Sequence, residues 1–446
     1  MIGAENGGRA GQSDGGFAET QTTGRRVVVF APPDGAPDPA GTLRSIAGVS
    51  EVASTRDFAG QALDMSQIPS TGATVFAELG VAVVAADADQ AAALEAAAGR
   101  GEILAVEPEL VHHVLAEVGG ELSGGGGVSV DYMRGYRDGV GDLSGRMVPD
   151  AARGLQAAEL AGYQDTDRFT WGLQATEVAT SCRSGQGVKV AVLDTGFDLA
   201  HPEFAGRSIT AQSFVAGAPA QDGHGHGTHC IGTACGPQTP GGGRRYGIAY
   251  EADIFAGKVL SDQGSGADQG ILAGINWAVA NGCQVVSMSL GADVRQISQV
   301  YEAVGSRALA AGSLIIAAAG NNAQRALGMF GFVGVPANSP SIMAVAAVDS
   351  MLNIAPFSAR SNPIRGGQID IAGPGVNVYS SWPMPRRHNT ISGTSMATPH
   401  ASGIAALWCQ ATGRLAGDLW STLTQQARRL SLPSDDVGAG LVLAPQ

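Results

Sequence analysis

Short apolar runs alternate with helical patterns along the second half of the chain. From about residue 170 onward, five such runs lie at 188–193, 254–259, 285–290, 314–319 and 342–348. Stretches with helical pattern, among them 267–280 and 297–311, lie between these runs. Short apolar strands that alternate with helices predict an α/β fold with a doubly wound, mostly parallel sheet. In such a sheet the ligand site lies at the carboxyl ends of the strands.

A different pattern precedes it and predicts a small α+β domain over about 25–118. Strand patterns occur at 26–31, at 73–86 (one long strand or a strand pair) and at 103–115. A short helix is expected over 42–46. A longer helix is expected over 87–100, which is Ala-rich, begins with Asp and ends with Arg, as the helix dipole favours. Strands and helices in this order fit a small α+β sandwich.

The domain boundaries follow from composition. A length of 446 residues suits two domains. Residues 1–24 are rich in polar residues and Gly and predict a flexible tail. Residues 119–169 contain the run Gly124 to Gly127 and predict a glycine-rich linker and lead-in. The second domain is therefore expected over 170–446.

Composition narrows the class of protein. With 44% apolar and 15% charged residues the chain is globular and can bury a core. A net charge of −13 disfavours nucleic acid as a partner. No run of 18 apolar residues is present, so no membrane span is expected. The first 23 residues lack the charged start and apolar stretch of a secretory signal, which leaves the compartment open between cytoplasm and an unusual export route.

Cysteine usage adds little chemistry. The five cysteines cannot all pair within one chain, and no CxxC spacing indicates a metal or redox site. Small buried apolar residues are the expected role for most of them, and disulfides stay open. The cysteines are Cys182, Cys230, Cys235, Cys283 and Cys409.

Three segments carry candidate catalytic side chains. Asp194 directly follows a strand run, which puts its carboxylate at a strand end, although an Asp there can also simply cap a turn. His226 lies in DGHGHGTHC, where the spacing fits no standard zinc site; a solvated loop or a proton shuttle are the alternatives. Ser395 lies in SGTSMATPH near the start of an expected helix, where it can act as a nucleophile or only as a cap.

Together the motifs DTG, HGTHC and GTSMATPH resemble the signatures of the subtilisin-like serine proteases (subtilases), and DGHGHGTHC with GTSMATPH is similar to the proteinase K branch. The order Asp, His, Ser is that of subtilisin. The resemblance covers about residues 170–443. It implies a serine endopeptidase that acts on polypeptides without a cofactor, with Ser395 as nucleophile, His226 as general base and Asp194 orienting the imidazole.

The resemblance implies further site residues. Asn321, in AAAGN, matches the oxyanion donor of the family, and Asp370, with the carbonyls of Pro340 and Ile342, resembles a site for structural calcium. Two segments are expected to flank an extended substrate, and a third to line the pocket for the residue before the cut. These residues are Gly264, Ser265 and Gly266, then Ser289, Leu290 and Gly291, and finally Ala318, Ala319 and Gly320.

The amino-terminal domain resembles the inhibitory propeptide of the family. This implies a zymogen that cuts itself between Leu115 and Thr170, with its own amino-terminal domain as an intramolecular inhibitor. Two alternatives compete with this interpretation. One is an inactive subtilisin-like binding module. The other is a doubly wound nucleotide-binding protein. The sequence argues against it, because DTGFD follows the first strand where such a protein has GxGxxG.

Overall fold

The structure is a computed structural model that describes residues 21–31, 38–68, 71–115, 162–241, 243–362 and 366–446, and it places them in two units. The tail expected over 1–24 and the linker expected over 119–169 therefore lie mostly outside the described residues. Each of the two units is built around a sheet, and the sheet of the smaller unit extends onto two short strands of the larger unit. The smaller unit contains β1 (Thr22–Val29), α1 (Pro39–Ala47), β2 (Val52–Ser54), β3 (Gly72–Phe76), β4 (Val81–Ala85), α2 (Ala88–Arg100) and β5 (Ala105–Val114).

The sheet of the smaller unit has the strand order β5-β1-β4-β3-β2. Side chains of successive strand residues point to opposite faces, which explains how this sheet serves two cores. Val28 and Val84 pack with Leu43 of α1 and Leu94 of α2 on one face. The opposite face joins the core of the larger unit, to which it contributes Val27, Val29, Phe76 and Val83.

The larger unit is built on a parallel sheet with the strand order β14-β13-β12-β10-β6-β8-β7. Two apolar clusters cover its two faces. The strands are β6 (Lys189–Asp194), β7 (Ile209–Ser213), β8 (Asp253–Lys258), β9 (Ser265–Ala267), β10 (Val285–Met288), β11 (Leu290–Gly291), β12 (Leu314–Ala318), β13 (Met343–Val348), β14 (Ile371–Pro374), β15 (Val378–Ser381) and β16 (His388–Ile391). The helices are α3 (Trp171–Ala175), α4 (His226–Cys235), α5 (Asp268–Ala280), α6 (Gln299–Ala310), α7 (Thr394–Thr412), α8 (Ala416–Gln425) and α9 (Ser434–Val437).

The predicted doubly wound α/β sheet is confirmed, with three local differences. The run over 285–290 breaks at Ser289, because Leu290 and Gly291 leave the parallel sheet and pair with β5. Strand β1 begins at Thr22, inside the tail predicted over 1–24, because Arg25 binds the buried carboxylate of Glu109 and holds this end of the strand in place.

The third difference concerns residues 162–169, which were predicted as the end of the linker. They pack on the larger unit instead. The amide of Tyr163 donates to the carbonyl of Ser350 at 2.7 Å, and the Asp165 carboxylate accepts from the amide of Trp171 at 2.7 Å. In the described part of the chain, no helix has the length and apolar character needed to cross a membrane.

Candidate active site

Asp194 and His226 meet at one edge of the parallel sheet. Asp194 is the last residue of β6, and His226 is the first residue of α4. The Nδ1 of His226 donates to Asp194 Oδ1 at 2.8 Å, and both side chains are buried. Gly225 precedes the helix with a φ of +107°, and a Cβ there would lie 2.3 Å from the ring of Trp382. Only glycine therefore lets the chain enter α4 at this point.

A second carboxylate, Asp222, holds this corner in shape. It accepts from the amides of His224 and Gly225 at 3.0 and 2.8 Å, and from the amide and hydroxyl of Thr228 at 2.9 and 2.7 Å. The hydroxyl of Thr195 donates to it at 2.9 Å. Because Thr195 follows Asp194, this network ties the histidine loop to the strand end. The motifs did not predict a role for Asp222. Its position as the first residue of DGHGHGTHC was the feature that could have indicated one.

Ser395 lies in the first turn of α7 and is buried. Its hydroxyl donates to the carbonyl of Ser289 at 3.2 Å, while the hydroxyl of Ser289 donates to the carbonyl of Ser395 at 2.8 Å. The Sγ of Cys230 lies 3.8 Å from His226 Nδ1 and 3.6 Å from the Ser395 carbonyl, so the cysteine packs between histidine and serine. Among the described residues, His226 Nε2 has no hydrogen-bond partner. In enzymes without bound substrate, the bond between a nucleophile and its base is often long or absent and forms only with substrate bound.

The electrostatics separate His226 from the other histidines nearby. Burial disfavours a charge on His226, but the Asp194 carboxylate outweighs burial and raises its pKa well above the ordinary value of 6.5. Burial lowers the pKa of His229 to about 3, and this ring donates from Nε2 to the carbonyl of Val378 at 3.0 Å. Burial likewise lowers the pKa of His400 to about 4. Of these three, His226 alone has a neighbouring carboxylate that stabilises its protonated form, the form that the imidazole takes after it accepts a proton.

The same corner contains a possible set of metal ligands. Ligand atoms of Asp194, His226 and Cys230 lie within 4.8 Å of one another. A thiol binds a metal as the thiolate, however, and burial raises the pKa of Cys230 above its ordinary value. The Nδ1 of His226 already donates to Asp194, which leaves this atom no lone pair for a metal. The donor set therefore suits proton transfer better than metal binding.

Asn321 lies beside the start of α7, the helix that carries Ser395. Its Oδ1 accepts from the amide and the hydroxyl of Thr394 at 2.9 and 2.8 Å. A Cβ on Gly393 would lie 3.1 Å from Asn321 Nδ2, so the amide group is close to the chain just before the serine. The first backbone N–H groups of a helix have no acceptor within the helix, and the amide of Ser395 is one of them in α7.

The last strand of the smaller unit lies between the two segments expected to flank a substrate. On one side, β5 pairs antiparallel with β9, with His112 opposite Gly266 and His113 opposite Ser265. On the other side it pairs with β11, with Val114 opposite Leu290. The amide of Val114 also donates to the carbonyl of Gly264 at 2.8 Å. An extended peptide thus adds a strand to both edges through backbone hydrogen bonds.

The predicted pocket residues follow the same sheet edge. Ala318 ends β12, and Ala319 and Gly320 continue from it. The amide of Ala319 donates to the carbonyl of Val345 at 3.1 Å, and Gly320 has a φ of +125°, which favours glycine. Ala318 and Ala319 are buried.

Asp370, the residue expected at a calcium site, lies at the turn into β14. Its Oδ2 accepts from the amide of Ala344 at 2.7 Å, and burial raises the pKa of this carboxyl to about 7. A carboxylate oxygen is the kind of ligand that calcium prefers. Among the described residues, Asp370 belongs to no group of three or more acidic, histidine or cysteine ligands, so a calcium site here would also draw on backbone carbonyls or water.

Comparison with known proteins adds an independent line of argument. The model of the subtilase family matches residues 185–436. Subtilisin DY of Bacillus licheniformis is 37% identical over 236 residues, which cover 53% of this chain and 81% of that protein. Subtilisin Savinase of Lederbergia lenta is 40% identical over 241 residues, covering 53% and 82%. The solved structure of sphericase superposes with a TM-score of 0.54 at 32% identity and covers 62% of this chain and 98% of that one.

Fungal relatives are similar to the same degree. Subtilisin-like protease 2 of Pseudogymnoascus destructans is 38% identical over 249 residues, covering 53% of this chain and 57% of that protein. Because its identity lies between those of the two bacterial subtilisins, these comparisons do not single out a branch. The similarity to the proteinase K branch therefore stays a prediction from the motifs.

Proposed function

The chain belongs to the subtilase family and is a serine endopeptidase, and from this premise we propose that it is made as a zymogen that cuts itself after Leu115. The smaller unit then acts as an intramolecular inhibitor until it is released. One observation carries the proposal: β5 of this unit occupies the cleft between β9 and β11 as an extended strand.

The chemistry follows from the arrangement around Ser395. Its Oγ attacks the carbonyl carbon of the bond to be cut, and His226 Nε2 takes the hydroxyl proton. The C–N bond then breaks, and the imidazolium returns this proton to the leaving amine. Water repeats the sequence on the acyl-enzyme and frees the carboxylate product. Asp194 holds Nδ1–H and stabilises the imidazolium, which agrees with the raised pKa of His226.

The negative oxygen formed during attack needs donors. The amide of Ser395 and the Nδ2 group of Asn321 supply them in this proposal. The bonds from Thr394 to Asn321 Oδ1 support the role of Asn321. Because they hold Oδ1 in place, Nδ2 is the end of the amide that is left to donate. Donors held in place before the reaction cost no reorganisation when the charge develops.

The register of β5 supports a particular bond. Val114 is opposite Leu290 in an antiparallel pair, so Leu115 is opposite Ser289. The carbonyl of Ser289 accepts from the Ser395 hydroxyl, which brings the nucleophile to the level of Leu115. The side chain of Leu115 also lies beside Gly291, where a Cβ would be 3.5 Å from Leu115 Cδ2. The bond between Leu115 and Ala116 is therefore the one we assign to the first cut.

The remaining contacts of β5 fit an inhibitor that is held firmly. Glu109 Oε1 accepts from the amide of Gln269 at 2.9 Å, at the start of α5. Glu107 Oε1 accepts from the amide of Gln299 at 2.7 Å, at the start of α6. Carboxylates at helix starts satisfy open N–H groups and interact favourably with the helix dipole. Both helices belong to the larger unit, so these bonds dock one unit on the other.

The experiment compares the purified full chain with its Ser395→Ala variant by intact mass and amino-terminal sequencing over time. The wild type is expected to yield a first product that begins at Ala116, and the variant is expected to stay whole. Ser402→Ala is the matched control, because Ser402 is a buried serine of the same helix whose hydroxyl donates to the helix carbonyl of Thr398. Processing of pure Ser395→Ala, or a first cut of the wild type elsewhere, would contradict the proposal.

A further inference from the structure

His112 is the one histidine of β5 whose side chain enters the larger unit. It is fully buried, whereas the neighbouring His113 is exposed. The Nε2–H of His112 donates to Asp268 Oδ1 at 2.7 Å, and the imidazole lies edge-on to the ring of Tyr301 at 5.5 Å between centroids.

Asp268 forms the base of this pocket. It is the first residue of α5, and its side chain is 3% exposed. Its Oδ1 also accepts from the hydroxyl of Tyr301 at 2.7 Å, and its Oδ2 accepts from the amide of Leu110 at 2.7 Å. Burial and the nearby Asp268 carboxylate raise the pKa of Tyr301 well above its ordinary value, so its hydroxyl remains a donor.

Two of these three donors leave when the smaller unit leaves. Tyr301 belongs to α6 of the larger unit, but His112 and Leu110 both belong to β5. The departing strand therefore leaves Asp268 with unused acceptor positions, facing the groove through which the next peptide passes. A peptide that covers this carboxylate again without supplying donors binds at a cost in free energy. The pocket therefore favours a peptide that restores the donors.

Counting back along β5 from the proposed cut gives the substrate position that contacts Asp268 and Tyr301. With Leu115 as the residue before the cut bond, Val114 is the second, His113 the third and His112 the fourth. We infer that Asp268 and Tyr301 form an acidic specificity pocket that selects histidine, lysine or arginine four residues before the cut bond. This inference rests on the proposed cut after Leu115, and it concerns substrates other than the chain itself.

The same chemistry predicts which side chains bind poorly in this pocket. A leucine at this position would cover Asp268 with apolar surface and leave its oxygens without partners. A glutamate would add a second negative charge at short range. A site that hydrogen-bonds its ligand discriminates strongly against analogues that lack the donor, because its own polar groups are then left unpaired.

The test uses the matured wild-type enzyme and peptides based on residues 109–118, with His, Lys, Gln, Glu or Leu in the place of His112. Gln and Glu have the same shape, so this pair isolates charge and donor capacity. We expect kcat/KM to be at least about tenfold higher for Gln than for Glu, and for His and Lys than for Leu. This comparison needs no variant, so a folding defect cannot obscure it.

Two variants then test whether Asp268 causes the preference for Gln over Glu. Asp268→Asn keeps the shape and removes the charge, and it is expected to reduce the Gln/Glu ratio to about twofold or less. Glu251→Gln removes an equal charge from an exposed site and is expected to leave the ratio unchanged. Equal cleavage of all five peptides by the wild type, or an unchanged ratio in Asp268→Asn, would overturn the inference.

The outcomes separate this inference from the proposed function. An enzyme that matures at Ala116 and cleaves all peptides equally retains the proposed function and loses only the pocket. A chain that neither matures nor cleaves any peptide loses both. Maturation with a first cut at another bond shifts the counting and overturns the assignment of the fourth position.

Discussion

At the scale of single residues, the chemistry at Ser395 depends on neighbours that fix one end of a polar group and leave the other to act. Asp194 fixes Nδ1 of His226, which directs Nε2 to the proton that must move. Thr394 donates to Oδ1 of Asn321, and the proposed mechanism therefore uses Nδ2 as the donor end. Such fixed groups stabilise developing charge better than mobile ones.

Replacing Asn321 tests this directly. Asn321→Ala is expected to lower kcat by about 10²–10³ with a much smaller change in KM, the size found when the oxyanion donor of subtilisin is removed. Steady-state kinetics on one peptide measure the effect. Asn322→Ala is the matched control, since that side chain bonds Asp293 and the carbonyl of Phe332 instead. A kcat within about threefold of wild type would show that Asn321 is not the donor.

Sequence motifs predicted the four residues to which the proposed mechanism gives roles, because spacing and neighbouring glycines carry that information locally. They did not predict the roles of Asp222, Asp268 or Tyr301. Asp222 acts by collecting hydrogen bonds from Thr195 and Thr228, which only the folded chain brings together. Asp268 and Tyr301 begin or occupy different helices, and their pairing requires knowledge of how α5 and α6 pack.

At the scale of elements, the ends of strands and the starts of helices carry the polar groups that matter, and Asp370 beside β14 is one of them. Its carboxyl has a pKa raised to about 7, against 3.8 for an unburied carboxyl. The folded state therefore holds the proton more tightly than the unfolded state. The free energy of unfolding accordingly falls as pH rises from about 3.8 to about 7, and this loss is complete above pH 7.

Asp370→Asn is expected to remove this loss, because the amide can still accept from Ala344 but carries no charge. In the presence of EDTA, the variant should gain about 2–4 kcal/mol over wild type at pH 8 and progressively less as pH falls towards 4. Thermal unfolding of both chains in the Ser395→Ala background measures the difference without autolysis. A pH-independent difference would contradict the assignment.

Calcium gives a second readout of the same element. We propose that a calcium ion at Asp370 would stabilise the ionised carboxylate and reverse its cost. Added calcium at pH 8 should then raise the unfolding temperature of the chain that retains Asp370 and leave the Asp370→Asn chain unchanged. An equal rise in both chains would place the stabilising ion elsewhere.

Elements were predicted well where their pattern is local, and less well where a partner decides. Five of the seven parallel strands and the helices α2, α5 and α6 were predicted from their own patterns, whereas the short strands β7 and β14 were not. The short strand β11 does not, because Leu290 and Gly291 become a strand only by pairing with β5. Residues 162–169 resemble a linker in composition, yet Asp165 and Tyr163 bind them to the larger unit.

At the scale of the whole molecule, one sheet crosses from one unit to the other. The strand order β11-β5-β1-β4-β3-β2, with β9 also on β5, makes the amino-terminal sheet continuous with the edges of the cleft. The nucleotide-binding alternative was wrong, because the chain belongs to the subtilase family. A doubly wound sheet alone does not specify its ligand. What distinguishes this sheet is the carboxylate, imidazole and hydroxyl groups at its carboxyl edge.

We propose that Ser395 is a nucleophile activated by His226 and covered by β5 until processing. A fluorophosphonate probe, applied during maturation and mapped by peptide mass spectrometry, tests it most directly. The expected result is a single modified residue, Ser395, whose labelling rises as the amino-terminal unit is lost and is absent in His226→Ala. Peptide cleavage by a chain that carries no label on Ser395, or equal labelling of the uncut precursor, would contradict the account.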